Sequence, residues 1–145
     1  MNTITNFGER LNELIFDKNI TPEFLAELIG VNIATVYRWK NNDTDISLNN
    51  LLKLANCFNC SIDFLLGRSD ETTKYNLKTL EPFSKRLREV MKTKNISTYK
   101  LRQISKYDGK YFQKWDRGAE PISATLIELA NIFDCTIDYL IGRED

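Results

Sequence analysis

The amino-acid sequence predicts an all-α protein made of two tandem five-helix domains. The first observation behind this prediction is a repeat, because twelve of the twenty residues at 51–70 are identical to those at 126–145. The second is a regular series of helix start and stop signals inside each copy. The third is that no segment alternates apolar and polar residues in the way of a half-buried strand. A duplicated helical unit is therefore the expected fold.

The repeat also predicts where the domains begin and end. Upstream of the repeated tail, nine residues recur 76 positions later, among them Phe7 as Phe83 and Trp39 as Trp115. We therefore assign residues 1–69 to an N-terminal domain and residues 82–145 to a C-terminal domain. The polar segment 70–81 is the predicted linker.

Most helix signals in the first repeat are N-cap residues. Thr21 is followed by Pro22, and proline suits the first helical position. Asn32 and Ser61 are further N-cap candidates, and Gly67 suits the C-terminal end of the last short helix. These signals predict helices at about 6–18, 22–29, 33–41, 48–58 and 62–66, with five counterparts in the second repeat.

The composition is that of an ordinary globular protein. Apolar residues make up 42% of the chain and charged residues 28%, as in most soluble domains. No run approaches the roughly 18 apolar residues of a membrane span, and the first residues lack the features of a signal peptide. With three cysteines and no secretory signal, we expect a cytoplasmic protein with no disulfides and no membrane association.

The formal net charge of zero hides an uneven distribution. Residues 71–117 hold 13 basic against 5 acidic side chains, whereas residues 1–70 hold 6 against 9. A basic block of this kind suits the phosphates of a nucleic acid. A solvated lysine-rich surface is the alternative interpretation of the same charges.

The segment 20–42 has the pattern of two short helices joined by a tight turn. Leu25 and Ala26 belong to the inner face of the first helix, and the small Ala26 permits a close approach of the second. Gly30 can adopt the positive φ that the turn needs. Val36 points inward on the second helix, and we interpret Trp39 as a packing residue. The residues left facing outward are Ile33, Ala34, Thr35, Tyr37 and Arg38.

With this turn and the tail at 47–67, the repeats resemble the Cro/phage-repressor family of helix-turn-helix regulators, also known as the xenobiotic-response-element (XRE) family. The resemblance implies lambda-repressor-like domains that bind operators in double-stranded DNA, usually as dimers, so a homodimer is left open. By the family pattern, an outward helix of this size enters the major groove. The implied base contacts are Ile33, Ala34, Thr35 and Arg38, with Tyr37 beside them. The implied backbone contacts are Thr21, Pro22, Lys40 and Asn41. The chain departs from the family pattern at Asn42, where glycine is usual, although asparagine tolerates the left-handed region.

The second repeat is less orthodox. Arg102 stands where the small Ala26 occurs in the first repeat, and Lys106 stands where Gly30 occurs, which we expect to cost the turn some backbone strain. Basic and aromatic residues crowd this half and suit contact with phosphates and bases. The candidate DNA-binding residues of the second repeat are Lys100, Lys110, Tyr111, Gln113, Lys114 and Arg117.

The remaining reactive residues are interpreted as structural. Cys57 and Cys60 have the spacing of a zinc or redox motif, but the chain has no histidine and only one further cysteine, too few for a four-ligand site. We therefore expect no metal or other cofactor, and we expect both cysteines to be buried small apolar residues. Asp63 and Asp138 are expected to act on the dipole of the last helix. No arrangement of groups predicts an enzyme.

The sequence thus favours a transcriptional regulator, most simply a repressor, with two reading heads in one chain. Tethering two heads raises their combined affinity, because the second contact becomes intramolecular. The alternative is a protein-interaction module or inhibitor that uses one helix-turn-helix repeat to bind a protein partner. An inducer of unknown identity is also left open.

Overall fold

The computed structural model describes residues 7–72 and 79–144. The first six residues of the predicted N-terminal domain, residues 73–78 of the predicted linker and residue 145 therefore lie outside the described residues. Within the described ranges the chain is helical and forms no extended strand, as the sequence predicts. The chain divides into two compact units, one formed by Met1–Leu77 with Ile122–Ala124 and the other by Lys78–Pro121 with Thr125–Asp145.

The helices of the first unit lie where the cap signals predict them, each within one residue at either end. Thr21, Asn32 and Ser61 each accept a backbone hydrogen bond at the start of a helix, from Phe24, Ala34 and Phe64 respectively. Gly67 follows the last short helix with a φ of +75°. The five helices are α1 (Phe7–Asp17), α2 (Pro22–Ile29), α3 (Ile33–Lys40), α4 (Leu48–Phe58) and α5 (Ile62–Leu65).

The second unit repeats this order. Its helices are α6 (Phe83–Thr93), α7 (Thr98–Ile104), α8 (Gly109–Asp116), α9 (Ser123–Phe133), which belongs to this unit from Thr125 onwards, and α10 (Ile137–Ile141). Both tryptophans are packing residues as predicted, since Trp39 is 1% exposed and Trp115 is 6% exposed. Among the described residues, no helix is long and apolar enough to cross a membrane.

An arginine in the first helix of each unit holds the end of the last helix. Arg10 donates to the carbonyl oxygen of Phe64 at 2.8 Å, and its guanidinium lies 3.9 Å from the centre of the Phe64 ring. Arg86 repeats both contacts with Tyr139, donating to its carbonyl oxygen at 2.7 Å. These contacts explain why this arginine recurs in the repeat.

The expectation that Asp63 and Asp138 act on the helix dipole missed their main partners. Each carboxylate is buried and pairs with the arginine five residues later, Asp63 with Arg68 and Asp138 with Arg143. The Asp138–Arg143 distance is 2.7 Å, with side chains 0% and 8% exposed. The signal was in the sequence, because the aspartate and the Gly-Arg pair recur together in both tails.

Candidate nucleic-acid interface

The turn between α2 and α3 forms as the sequence predicts. Gly30 ends α2 in the left-handed conformation, with a φ of +82°. The backbone N–H groups of Gly30 and Val31 both donate to the carbonyl oxygen of Ala26, at 2.8 and 3.0 Å. Asn32 then caps α3 by accepting from the N–H of Ala34 at 2.8 Å. These local bonds fix the direction in which α3 leaves the turn.

A close approach of α1 fixes the other end of α3. A side chain at Gly8 would collide with the carbonyl oxygen of Lys40, so only glycine fits there. The N–H of Gly8 donates to Oδ1 of Asn42 at 2.9 Å. Asn42 therefore does more than tolerate its positive φ of +57°, because its side chain also joins α1 to the end of α3. Sequence reasoning missed Gly8, since nothing local distinguishes it from other helical glycines.

With both ends held, α3 presents one face to solvent. Ala34 and Arg38 are exposed, Tyr37 is 43% exposed, and Ile33 and Thr35 are half-buried beside them. The predicted backbone-contact residues follow the same division: Thr21 and Asn41 are exposed, whereas Pro22 and Lys40 are half-buried. The structure therefore brings all the candidate residues of the first unit to α2, α3 and their ends, and it leaves none in the core.

Two side chains of α3, those of Tyr37 and Lys40, already have partners. The hydroxyl of Tyr37 donates to Oε1 of Glu23 at 3.3 Å, and the negative charge of Glu23 raises the pKa of Tyr37. The ammonium group of Lys40 lies 5.0 Å from the centre of the Tyr37 ring. Tyr37 thus ties α3 back to α2 and is less available to a ligand than exposure suggests. The guanidinium of Arg38 makes no hydrogen bond or ion pair among the described residues, so it can bind a ligand without giving up a partner.

The second unit builds its turn differently, and the expected strain at Lys106 is absent. Lys106 is not among the residues of positive φ. Ser105 instead ends α7 in an extended conformation, with a φ of −150° and a ψ of 177°. Its hydroxyl donates to the carbonyl oxygen of Leu101 at 2.7 Å and accepts from the N–H of Tyr107 at 3.1 Å. A serine bridge therefore replaces the left-handed glycine.

Aromatic packing supports this altered turn. Tyr107 is fully buried, its hydroxyl donates to Oε2 of Glu128 at 3.1 Å, and burial raises its pKa to about 12. The rings of Tyr111 and Trp115 pack on Tyr107, with centres 4.9 and 5.8 Å away. Tyr111, a candidate DNA-binding residue, is therefore half-buried in a ring cluster.

The other candidates of the second unit are exposed on the solvent side of α7, α8 and the residue after α8. On α8, the spacing of Lys110, Gln113 and Lys114 places them on one face of the helix. Arg102, the counterpart of the buried Ala26, is also exposed, and its guanidinium lies 5.5 Å from the centre of the Tyr99 ring. Its side chain therefore does not enter the interface between the two helices. The exposed candidates are Lys100, Lys110, Gln113, Lys114 and Arg117.

The interpretation of both cysteines as core residues was wrong for one of them. Cys60 is buried, with 2% exposure, but Cys57 is exposed. Cys57 lies on the outer side of α4, although its counterpart in the repeat is Ile132. Among the described residues, no group of three or more potential metal ligands comes together.

Comparison with known proteins finds sequence similarity in the first unit. The family model of the Cro/C1-type helix-turn-helix DNA-binding domain matches residues 10–71. An uncharacterized HTH-type transcriptional regulator of Haemophilus influenzae is 38% identical over 60 residues, which cover 41% of this chain and 25% of that relative. The HTH-type transcriptional regulator ImmR of Bacillus subtilis is 32% identical over 71 residues, which cover 49% of this chain and 55% of that relative. No solved structure gives a significant match.

The matched region contains the whole α2–turn–α3 segment. The first unit therefore holds a Cro/C1-type helix-turn-helix domain. The chain spans between a quarter and about half of the length of these two relatives.

Proposed function

We propose that this protein is a cytoplasmic, sequence-specific regulator of transcription that binds double-stranded DNA and acts as a repressor. The observation that carries the proposal is the exposed face of α3, held at both ends within a Cro/C1-type domain. In this proposal α3 enters the major groove and reads base edges.

The side chains on α3 suit this role. The guanidinium of Arg38 has no hydrogen-bond or ion-pair partner among residues 7–72 and 79–144, and arginine bonds in a bidentate manner to guanine. Ala34 and Thr35 offer the methyl and hydroxyl groups that contact thymine and other base edges. Both relatives are named as HTH-type transcriptional regulators, which supports the same proposal.

Selection of bound sequences from random duplex DNA, followed by the variant Arg38→Ala, tests the proposal. We expect one sequence to be enriched, and we expect Arg38→Ala to weaken binding to it by about 1–3 kcal/mol, the value of a good base contact. Lys18→Ala is the matched control, because it removes one exposed charge of the same unit from beyond the end of α1. No enrichment, or an equal weakening in the two variants, would contradict the assignment of α3 as the reading helix.

A second candidate function is the binding of a protein partner, favoured by exposed apolar side chains on the first unit. Phe16 is 83% exposed, Leu28 is 54% exposed and Phe24 is 48% exposed. Large exposed apolar groups are typical of protein-binding surfaces when they are contiguous. If this function holds in place of DNA binding, Phe16→Ser and Phe24→Ser abolish stoichiometric capture of a protein in the absence of DNA, and selection enriches no duplex.

A further inference from the structure

We propose that the second unit binds the phosphate backbone of duplex DNA through α7 and α8 and does not read bases. This inference rests on the proposed function, which supplies the duplex as the partner. It differs from the expectation of two reading heads, because it assigns affinity to one unit and sequence discrimination to the other.

The charge on equivalent segments is the first observation. The helix-turn-helix segment 21–41 of the first unit carries two basic and two acidic side chains, whereas the equivalent segment 97–117 carries six basic and two acidic ones. The basic residues of this segment, called here the α7–α8 basic surface, are Lys100, Arg102, Lys106, Lys110, Lys114 and Arg117.

The two acidic residues of the segment 97–117 are already bound within the unit. Asp108 accepts from the N–H of Lys110 at 3.0 Å, as the N-cap of α8. Asp116 accepts two hydrogen bonds from Arg88, at 2.7 and 3.0 Å, and these bonds lower the pKa of Asp116. Both carboxylates are therefore committed to internal bonds.

Most of the surface cations, in contrast, have no acidic partner. Of the six, only Lys106 forms an ion pair among the described residues, with Glu128 at 3.9 Å. Lys114 lies 5.8 Å from the Tyr111 ring, a contact that leaves its charge exposed. Unpaired exposed ammonium groups gain most from phosphates, because they displace condensed counterions without breaking an internal bond.

The side chains of α8 are poorly suited to base recognition. Gly109 begins the helix and has no side chain, and the ring of Tyr111 packs on Tyr107 and Trp115. These two positions correspond to Ile33 and Thr35, which lie on the candidate reading face of α3. A lysine ammonium binds phosphate as a point charge, without the planar geometry of an arginine or an amide. Gln113 is the exposed amide of α8, and a glutamine amide forms a bidentate contact with adenine, so Gln113→Ala provides a direct test of base recognition.

The experiment measures binding of the full chain to its selected duplex and to an unrelated duplex over a range of salt concentrations. The test variant is Lys100→Gln with Lys110→Gln and Lys114→Gln, which removes three charges from the α7–α8 basic surface. The matched control is Lys85→Gln with Lys92→Gln and Lys94→Gln, which removes three charges of the same unit from α6 and its C-cap. Gln113→Ala is measured beside them.

We expect the test variant to flatten the slope of log affinity against log salt by about one unit for each phosphate that the protein no longer neutralises. Its affinities for the two duplexes should fall by the same factor, so that their ratio is unchanged. The α6 control and Gln113→Ala should leave both the slope and the ratio unchanged.

The outcomes separate this inference from the proposed function. The inference is overturned if the protein binds its selected duplex preferentially but the test variant leaves the salt slope unchanged. It is also overturned if Gln113→Ala alters the ratio of the affinities for the two duplexes. Either result leaves the first unit as the reading head. The proposed function is overturned if binding depends on salt but shows no sequence preference. If the test variant alone flattens the salt slope in that case, the inference is supported. The absence of any duplex binding overturns both.

Discussion

The α2–α3 segment of the first unit and the α7–α8 segment of the second unit solve the same geometric problem with different chemistry. In the first unit a left-handed glycine, Gly30, turns the chain between α2 and α3. In the second unit the extended Ser105 and the buried Tyr107 do the same between α7 and α8. The first segment, 21–41, has two basic and two acidic side chains, whereas the second, 97–117, has six basic and two acidic ones.

The difference shows which parts of the scaffold the fold depends on. Both units keep the arginine that holds the last helix, the buried tryptophan of the third helix and the buried aspartate–arginine pair. The exposed positions diverge, because substitutions at the surface change stability little. A duplicated fold can therefore change its exposed surface while these framework contacts stay the same.

The largest effect that tests this comparison should come from breaking the buried ion pairs. Removing one partner of a buried pair costs about 3–5 kcal/mol, because it leaves an uncompensated charge. We expect Arg143→Met to approach this cost, since Arg143 is 8% exposed and Asp138 is 0% exposed. We expect Arg68→Met to cost less, because Arg68 is 19% exposed and Asp63 is 6% exposed.

The free energy of unfolding of each unit can be followed separately in urea. Each unit holds one of the two tryptophans, so Trp115→Phe leaves Trp39 as the reporter of the first unit and Trp39→Phe leaves Trp115 as the reporter of the second. Arg117→Met is the control for removal of an exposed arginine. If Arg143→Met were no more destabilising than this control, the pair would not be part of the shared framework.

Much of this fold could be predicted from the sequence, because its signals are local. Thr21, Asn32 and Ser61 are N-caps whose hydrogen bonds span two or three residues, and the repeat carries the pattern into the second unit. The candidate reading face of α3 follows from the helical period in the same way. The assignment of particular residues to DNA contact stays a prediction.

The features that were missed depend on contacts between distant residues. Gly8 matters because α1 passes close to the end of α3, and the exposure of Cys57 depends on which side of α4 faces the core. Sequence patterns report neighbours along a helix, whereas packing between helices decides these two cases.

The turn of the second unit was missed for a local reason. Alignment with Gly30 suggests a left-handed residue at Lys106, whereas the hydroxyl of Ser105 bridges Leu101 and Tyr107 instead.

A smaller effect should separate the two turns. Gly30 has a φ of +82° and open space around it, so Gly30→Ala meets no steric obstacle but places an L-residue in the left-handed region, at a cost of about 1–2 kcal/mol. Lys106→Gly should instead destabilise the second unit by about 0.5–1 kcal/mol, because glycine adds freedom to the unfolded chain and relieves no strain. Urea unfolding with the tryptophan reporters measures both variants. A gain in stability from Lys106→Gly would contradict the description of the second turn.

The smallest expected effect concerns the pH dependence of an ion pair found in the second unit alone. Arg88 and Asp116 join α6 to the end of α8, whereas the equivalent positions of the first unit are Asn12 and Lys40. The hydrogen bonds from Arg88 hold the pKa of Asp116 below its ordinary value, which is about 3.9.

A carboxyl whose pKa is lowered by folding contributes stability above the ordinary pKa and loses it as the pH falls through the lowered value. We therefore expect Asp116→Asn to lower the urea midpoint of the second unit at pH 6, and we expect this difference from the unmodified protein to shrink as the pH falls below about 3.9. The first unit should show no such difference at either pH. A difference that stayed constant between pH 6 and pH 3 would mean that Asp116 acts through packing, and not through its charge.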